Sequence, residues 1–128
     1  MKKLLATLSI GTLMVLAAPG IANAKGGGGD VRVKGKCSAS SSSKLKIKAD
    51  NGRIETEFEV DQNKVGAKWN VAIIDNGVVV ARTAATTTAP SGSFTVRRLI
   101  PNRAGTDRVT GFARNVATGE TCAATASL

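Results

Sequence analysis

The stretch KLKIKADNGRIETEF, residues 44–58, decides how this chain folds. Asn51-Gly52 lies between two runs that alternate charged and mostly apolar side chains, and this predicts a β-hairpin, because a type I′ turn needs positive φ at both central residues. Lysines of the first run then face glutamates of the second, in the pairs Lys44–Glu59, Lys46–Glu57 and Lys48–Glu55. A slip of one residue would set lysines against Ile54 and Phe58, so the register is strongly specified. The lysine row therefore has an internal partner and is not, in the first instance, a docking site.

The first 24 of the 128 residues have the layout of a secretory signal peptide. Two lysines precede the apolar run of residues 4–18, and Ala22-Asn-Ala24 places small residues where a signal peptidase cleaves. The alternative is an uncleaved membrane anchor, but the run has about 15 residues and a span needs about 20. We expect cleavage after Ala24 and a secreted protein without a membrane span. A flexible glycine leader, residues 25–29, would precede a single domain, residues 30–128.

The composition argues against catalysis. The chain carries 18 Lys and Arg against 9 Asp and Glu, a net charge of +9, and it contains no histidine. A Ser-His or Cys-His pair is therefore excluded, and the serines show no GxSxG pattern. The acids form no spaced pair on one element, as a glycosidase would need, and the Asp-Asn-Gly turns are too short for a calcium loop. We expect a protein that is not an enzyme and that has no cofactor and no metal.

Short alternating segments continue along the chain. Residues 67–74 predict a strand with Trp69, Val71 and Ile73 inward, and residues 93–100 a strand with Phe94 and Val96 inward. Further strands are predicted at residues 31–37, 78–82, 107–116 and 120–127, with an Ala/Thr-rich linker at residues 83–92. The Asp-Asn-Gly at residues 75–77 predicts a second hairpin whose register stays open. The pattern predicts an all-β, immunoglobulin-like antiparallel β-sandwich of about 7–8 strands.

The two cysteines, Cys37 and Cys122, predict one disulfide, because an even count in an exported chain is typical of disulfide pairing. The alternatives are two free thiols or a metal site, and a metal would need further soft or imidazole ligands. Cys37 ends the first predicted strand and Cys122 lies in the last. The disulfide would therefore join the first and last strands and tie the two ends of the domain together.

Several short motifs carry a resemblance to a known class of domain. They are GxC at residues 35–37, DNGRIETEFEVD at 50–61, the single Trp69, SGSFTVRR at 91–98 and TGETC at 118–122. Together they resemble the small secreted immunoglobulin-like domains of bacteria, which implies the sandwich fold but no particular activity. SFTVRR at residues 93–98 is also similar to a segment of the neocarzinostatin-type chromophore-carrying apoproteins, which implies a carrier of a small apolar ligand. Those proteins have two disulfides within the domain, whereas this chain has cysteines for one.

A group of arginines in the second half has few acidic neighbours in the sequence. The candidate residues for an anionic partner are Arg97, Arg98, Arg103, Arg108 and Arg114. Such side chains can hold phosphates or carboxylates with two parallel hydrogen bonds. The alternative, which the sequence favours, is a solvated basic edge that prevents edge-to-edge aggregation.

The partner class follows from location and composition. Anionic cell-envelope polymers are the most available anionic partner of an exported protein, and another protein is the alternative. Recognition of single-stranded nucleic acid is disfavoured because it needs exposed aromatic side chains, and the chain has no tyrosine. We expect a secreted monomer that acts as a non-enzymatic binding or display module. The alternatives are a small-ligand carrier, which would expose Trp69 in an apolar groove, and a structural or accessory extracellular protein without a ligand.

Overall fold

The computed structural model describes residues 29–128, and within them the chain forms nine β-strands and no helix. The predicted signal peptide and all but the last residue of the predicted glycine leader lie outside the described residues. Nowhere in the described part is a helix long and apolar enough to cross a membrane. The strands are β1 (Asp30–Lys34), β2 (Lys36–Cys37), β3 (Ser42–Asp50), β4 (Arg53–Asp61), β5 (Lys68–Asp75), β6 (Val78–Thr86), β7 (Ser93–Pro101), β8 (Arg108–Asn115) and β9 (Thr121–Ser127).

The strands form two antiparallel sheets that pack face to face around one apolar core. The four-stranded sheet has the order β1-β3-β4-β7, and the five-stranded sheet has the order β2-β9-β8-β5-β6. The hairpins β3-β4 and β5-β6 lie in different sheets. The chain then returns to β4 with β7 and to β5 with β8, as in immunoglobulin domains. The predicted immunoglobulin-like antiparallel sandwich is confirmed.

The first hairpin has the register that the sequence predicts. Asn51-Gly52 adopts positive φ at both residues, 50° and 79°, as a type I′ turn requires. All three predicted Lys–Glu pairs lie directly opposite one another. Two of them form ion pairs, Lys44 with Glu59 at 3.1 Å and Lys46 with Glu57 at 3.5 Å. The charged face points to solvent and the alternate, mostly apolar face packs into the core.

The predicted strand at residues 31–37 is two strands, because the chain crosses from one sheet to the other at Gly35. This split raises the number of strands to nine. A β-carbon at Gly35 would collide with the side chain of Ser43 and the main chain of Ala123, so the crossing requires glycine. The crossing brings β2 beside β9, where the predicted disulfide joins Cys37 to Cys122.

The second hairpin contains an irregularity that the sequence did not predict. Asn76-Gly77 forms the tight turn, with φ of 51° and 84°. The register then shifts between Ile73 and Ile74, where Val80 of β6 is the extra residue of a β-bulge. The linker predicted at residues 83–92 is wrong in its first part, since β6 continues to residue 86 as an edge strand paired with β5.

Both sheets contribute large side chains to the core, and the predicted inward residues of β5 and β7 are all buried. Trp69 is fully buried, its indole Nε1 donates a hydrogen bond to Oε1 of Gln62 at 3.0 Å, and its ring centroid lies 6.1 Å from that of Phe94. The buried apolar residues with no measurable exposure are Leu45, Ile47, Ile54, Phe58, Val60, Trp69, Val109, Ala113 and Ala126.

Gly111 of the five-stranded sheet lies against Phe58 of the four-stranded sheet. A β-carbon on Gly111 would overlap the ring and the β-carbon of Phe58, which is fully buried. We therefore expect Gly111→Ala to lower the free energy of unfolding by about 1–3 kcal/mol through overpacking. Denaturant unfolding measures the change, and Gly29→Ala, where a β-carbon meets no atom within 4 Å, serves as the control. Equal stability of the two variants would contradict this account of the packing.

Candidate functional site

The structure divides the five predicted site arginines between the two sheets and a loop. Arg97 and Arg98 lie on β7 in the four-stranded sheet, whereas Arg108 and Arg114 lie on β8 in the five-stranded sheet. Arg103 lies in the loop between these two strands. The five residues therefore do not share one sheet face, and each has to be considered with its own neighbours.

Arg97 is already neutralised within the domain. Its guanidinium forms ion pairs with the carboxylates of Glu55 and Glu57, the second at 2.6 Å. Glu57 also pairs with Lys46, so on the outer face of the four-stranded sheet the acidic side chains of β4 lie between basic side chains of β3 and β7. This face satisfies much of its charge internally. The sequence predicts Lys48 as the partner of Glu55, and it does not predict the ion pair with Arg97.

The outer face of the five-stranded sheet has a different character. Strand alternation and register place five basic side chains on it, and no carboxylate of the described residues joins them. None of the five forms an ion pair within the described part of the chain. The five residues are Lys36, Lys68, Arg82, Arg108 and Arg114. We call this surface the cationic face.

The registers of four strand pairs align one row of side chains across the cationic face. Running from β2 to β6, the row reads Lys36, Ala123, Phe112, Ala72 and Arg82. Since neighbouring strands lie about 4.8 Å apart, its two cationic ends are separated by about 19 Å. Phe112 stands at the centre of the row and is 36% exposed on the outer face of the sheet. We call this arrangement the cross-strand row.

A groove of about 440 Å³ lies beside Phe112 on the cationic face. Its walls are the side chains of Phe112, Arg82 and Arg114, and Asn70 and Ala72 of β5 lie between them. The small Ala72 leaves room between two larger side chains in neighbouring strands. Each guanidinium can present two parallel N–H donors to a carboxylate or a phosphate. The groove therefore combines an apolar ring with two cations that have no carboxylate partner in the described chain.

Two residues of this groove could not be identified as site residues from the sequence. Phe112 was not assigned to either face, although the alternation of β8 shows that it points away from Val109, Gly111 and Ala113. Arg82 was placed on a strand whose register was open, so its neighbours were unknown. Of the five arginines predicted as a site, Arg114 is the one that lines this groove.

A second polar cluster lies at one end of the sandwich, where β5 ends and β8 begins. Asp75 and Asp107 are both fully buried. Neither oxygen of the Asp75 carboxylate accepts a hydrogen bond, and Nε of Arg103 lies 3.7 Å from one of them. Burial, together with the neighbouring Asp107 carboxyl group, raises the pKa of Asp75 to about 6, against the opposing effect of Arg103. This cluster is directed into the protein and is separate from the groove.

Glu120 has a structural role. Its carboxylate accepts hydrogen bonds from the backbone N–H groups of Ala39 and Ser41 and from the hydroxyl of Ser41, and so it fixes the loop that follows β2. Within the described residues, it also lies in one grouping of potential metal ligands with Cys37 and Cys122. Both sulfurs are consumed by the disulfide, so this grouping offers no thiolate to a metal.

The buried position of Trp69 bears on the carrier hypothesis. The residue has no exposed surface, and its one hydrogen-bond donor is satisfied by Gln62. Trp69 therefore does not line an open ligand groove. No protein-family model matches the chain, and a search of the curated proteins found no significant match.

Proposed function

We propose that this chain is a secreted, non-enzymatic binding module that holds an anionic polymer of the cell envelope against the cationic face. The observation that carries the proposal is the composition of that face: five basic side chains and an exposed Phe112, with no carboxylate of the described chain among them. Clustered charge of one sign attracts polymers of the opposite charge and speeds their association.

The contrast between the two outer faces supports the choice of surface. The four-stranded sheet places Glu55, Glu57 and Glu59 among its basic side chains and forms ion pairs with them. An anionic polymer on that face would compete with these carboxylates and be repelled by them. On the cationic face Arg82 and Arg114 are available without such competition.

Three further features support the remaining parts of the proposal. The signal-like first 24 residues and the disulfide are both typical of exported proteins. The lack of histidine leaves no His-based general base for catalysis. Nucleic acid remains the weaker partner, because stacking of successive bases needs several aromatic side chains and the cationic face presents one.

The double variant Arg82→Ser, Arg114→Ser tests this proposal. We expect the mature protein to co-sediment with isolated cell envelopes at about 50 mM salt and less at about 200 mM, because salt screens such contacts. The double variant should bind at least about tenfold more weakly, since it loses two sets of charge-assisted hydrogen bonds. Binding isotherms from sedimentation at both salt concentrations give the two affinities.

The matched control removes the same charge from the other sheet. Lys48 and Arg98 are exposed and, within the described residues, form no ion pair with a carboxylate. Lys48→Ser with Arg98→Ser should leave binding within about twofold, because only the screened long-range charge changes. Equal weakening by both double variants would show that net charge and not the cationic face is responsible. Absence of envelope binding by the unaltered protein at either salt concentration would contradict the proposal itself.

A further inference from the structure

The setting of Phe112 restricts the chemistry of the ligand further. Its neighbours in the cross-strand row are Ala123 and Ala72, whose methyl groups are too small to cover an aromatic ring on either side. Phe112 is 36% exposed and lies on the outer face of β8, a strand with partners on both sides. A flat apolar partner can lie on this ring without displacing any larger side chain of the row.

The polar groups of the groove lie to one side of the same ring. Arg114 follows two residues later on β8, directly opposite Asn70 of β5, and Arg82 lies across Ala72 on β6. One ligand unit in this groove would therefore contact an apolar ring, two guanidinium groups and a side-chain amide. The volume of about 440 Å³ lies in the range of sites that hold small ligands.

Few anionic polymers offer all of these features in one repeating unit. A pyranose ring has an apolar C–H face that packs on aromatic rings, and its hydroxyl groups match an amide such as that of Asn70. A carboxylate on the ring matches a guanidinium in charge and in planar geometry. A phosphate chain without rings offers nothing to Phe112, and a neutral glycan offers nothing to the two arginines.

We propose, on the basis of the proposed function, that the groove binds carboxylate-bearing pyranose units of an acidic polysaccharide. Phe112 packs against the face of the sugar ring, Arg82 and Arg114 hold its carboxylate or that of the next unit, and Asn70 hydrogen-bonds a hydroxyl group. Lys36, at the other end of the cross-strand row, lies about 10 Å from Phe112 and meets the charge of a neighbouring unit.

The variant Phe112→Ala separates the ring contact from the charge contact. Polygalacturonate is the probe that carries both rings and carboxylates, and inorganic polyphosphate is the anionic probe without rings. We expect the variant to bind polygalacturonate about fivefold to tenfold more weakly, as for the loss of an aromatic packing partner. Its affinity for polyphosphate should stay within about twofold of that of the unaltered protein. Titration calorimetry in the same buffer measures all four affinities.

Two control variants complete the test. Phe112→Tyr keeps the ring and should retain polygalacturonate binding. Leu99→Ala removes an apolar side chain that is 51% exposed on the other sheet and should leave the affinity unchanged. The fluorescence of the buried Trp69 reports whether each variant is folded.

Different experimental results would contradict the ring contact, the sugar assignment or the proposed function. If Phe112→Ala weakens both probes equally, or neither, the ring contact is wrong while the cationic face can still bind anions. Binding of polyphosphate with higher affinity than polygalacturonate, both expressed per charge, would also overturn the sugar assignment. If neither probe binds and envelopes do not bind either, the proposed function fails together with this inference.

Discussion

Replacing both cysteines, Cys37→Ala with Cys122→Ala, is expected to lower the free energy of unfolding by about 4–5 kcal/mol. The disulfide joins residues that are 85 positions apart, so it restricts nearly the whole domain in its unfolded state. The disulfide also joins β2 covalently to β9. β2 has only two residues and pairs with β9 alone. A strand that short has few main-chain hydrogen bonds with which to hold its place.

Chemical denaturation with and without a reducing agent measures this effect. The unaltered protein should lose stability on reduction, whereas the double variant should be as unstable without the reductant as with it. Hydrogen exchange should show β2 opening first in the variant, because β9 retains its pairing with β8. A loss below about 1 kcal/mol would mean that the sandwich does not depend on the disulfide.

The parts of the fold that could be predicted are those that are determined by residues close together in the sequence. The first hairpin is specified by its turn residues and by the alternation beside them, so all three predicted Lys–Glu pairs agree with the observed register. The β-bulge at Val80 could not be predicted, because both faces of that segment carry apolar groups. Several registers would therefore bury a similar apolar area. The crossing at Gly35 depends on contacts with Ser43 and Ala123, which are brought to it by the fold.

The candidate site depends even more on contacts between distant segments. Alternation along β8 places Phe112 on the outer face, but its proximity to Arg82 follows from the order β8-β5-β6 in the sheet. The ion pairs of Arg97 likewise follow from the pairing of β4 with β7, which joins residues about 40 positions apart. The predicted site consisted of arginines that are close together in the chain, whereas the sheet brings together residues that are far apart in the chain.

The burial of the Asp75 carboxyl group could not be predicted from its position beside a turn. The sequence Asp-Asn-Gly assigns Asp75 to a turn, yet the residue ends β5 and its side chain points inward. A buried carboxylate without a hydrogen-bond donor is costly, and a second carboxyl group beside it, that of Asp107, increases the cost. Both effects favour the protonated acid, in opposition to the nearby Arg103.

The raised pKa of Asp75 makes stability depend on pH with a definite sign. Its folded-state pKa of about 6 lies above its ordinary value of 3.8, so between these values the folded protein binds more protons than the unfolded chain. The free energy of unfolding therefore falls as pH rises through this window, and the loss attributable to Asp75 reaches about 2–3 kcal/mol above about pH 7. Acidification to about pH 4.5 restores most of it.

Asp75→Asn should remove this dependence, because an amide cannot ionise and its NH₂ group can donate to Asp107. We expect the variant to be more stable than the unaltered protein by about 2–3 kcal/mol at about pH 7.5, and of similar stability at about pH 4.5. Comparing the two proteins at each pH cancels the titration of the acids that do not interact with Asp75. Ser43→Ala, which removes a buried hydroxyl without a hydrogen-bond partner, should show a difference that does not vary with pH. If Asp75→Asn is less stable at about pH 7.5, the Asp75 carboxylate is ionised and held by Arg103, and the pair is an ion-pair site that the substitution breaks.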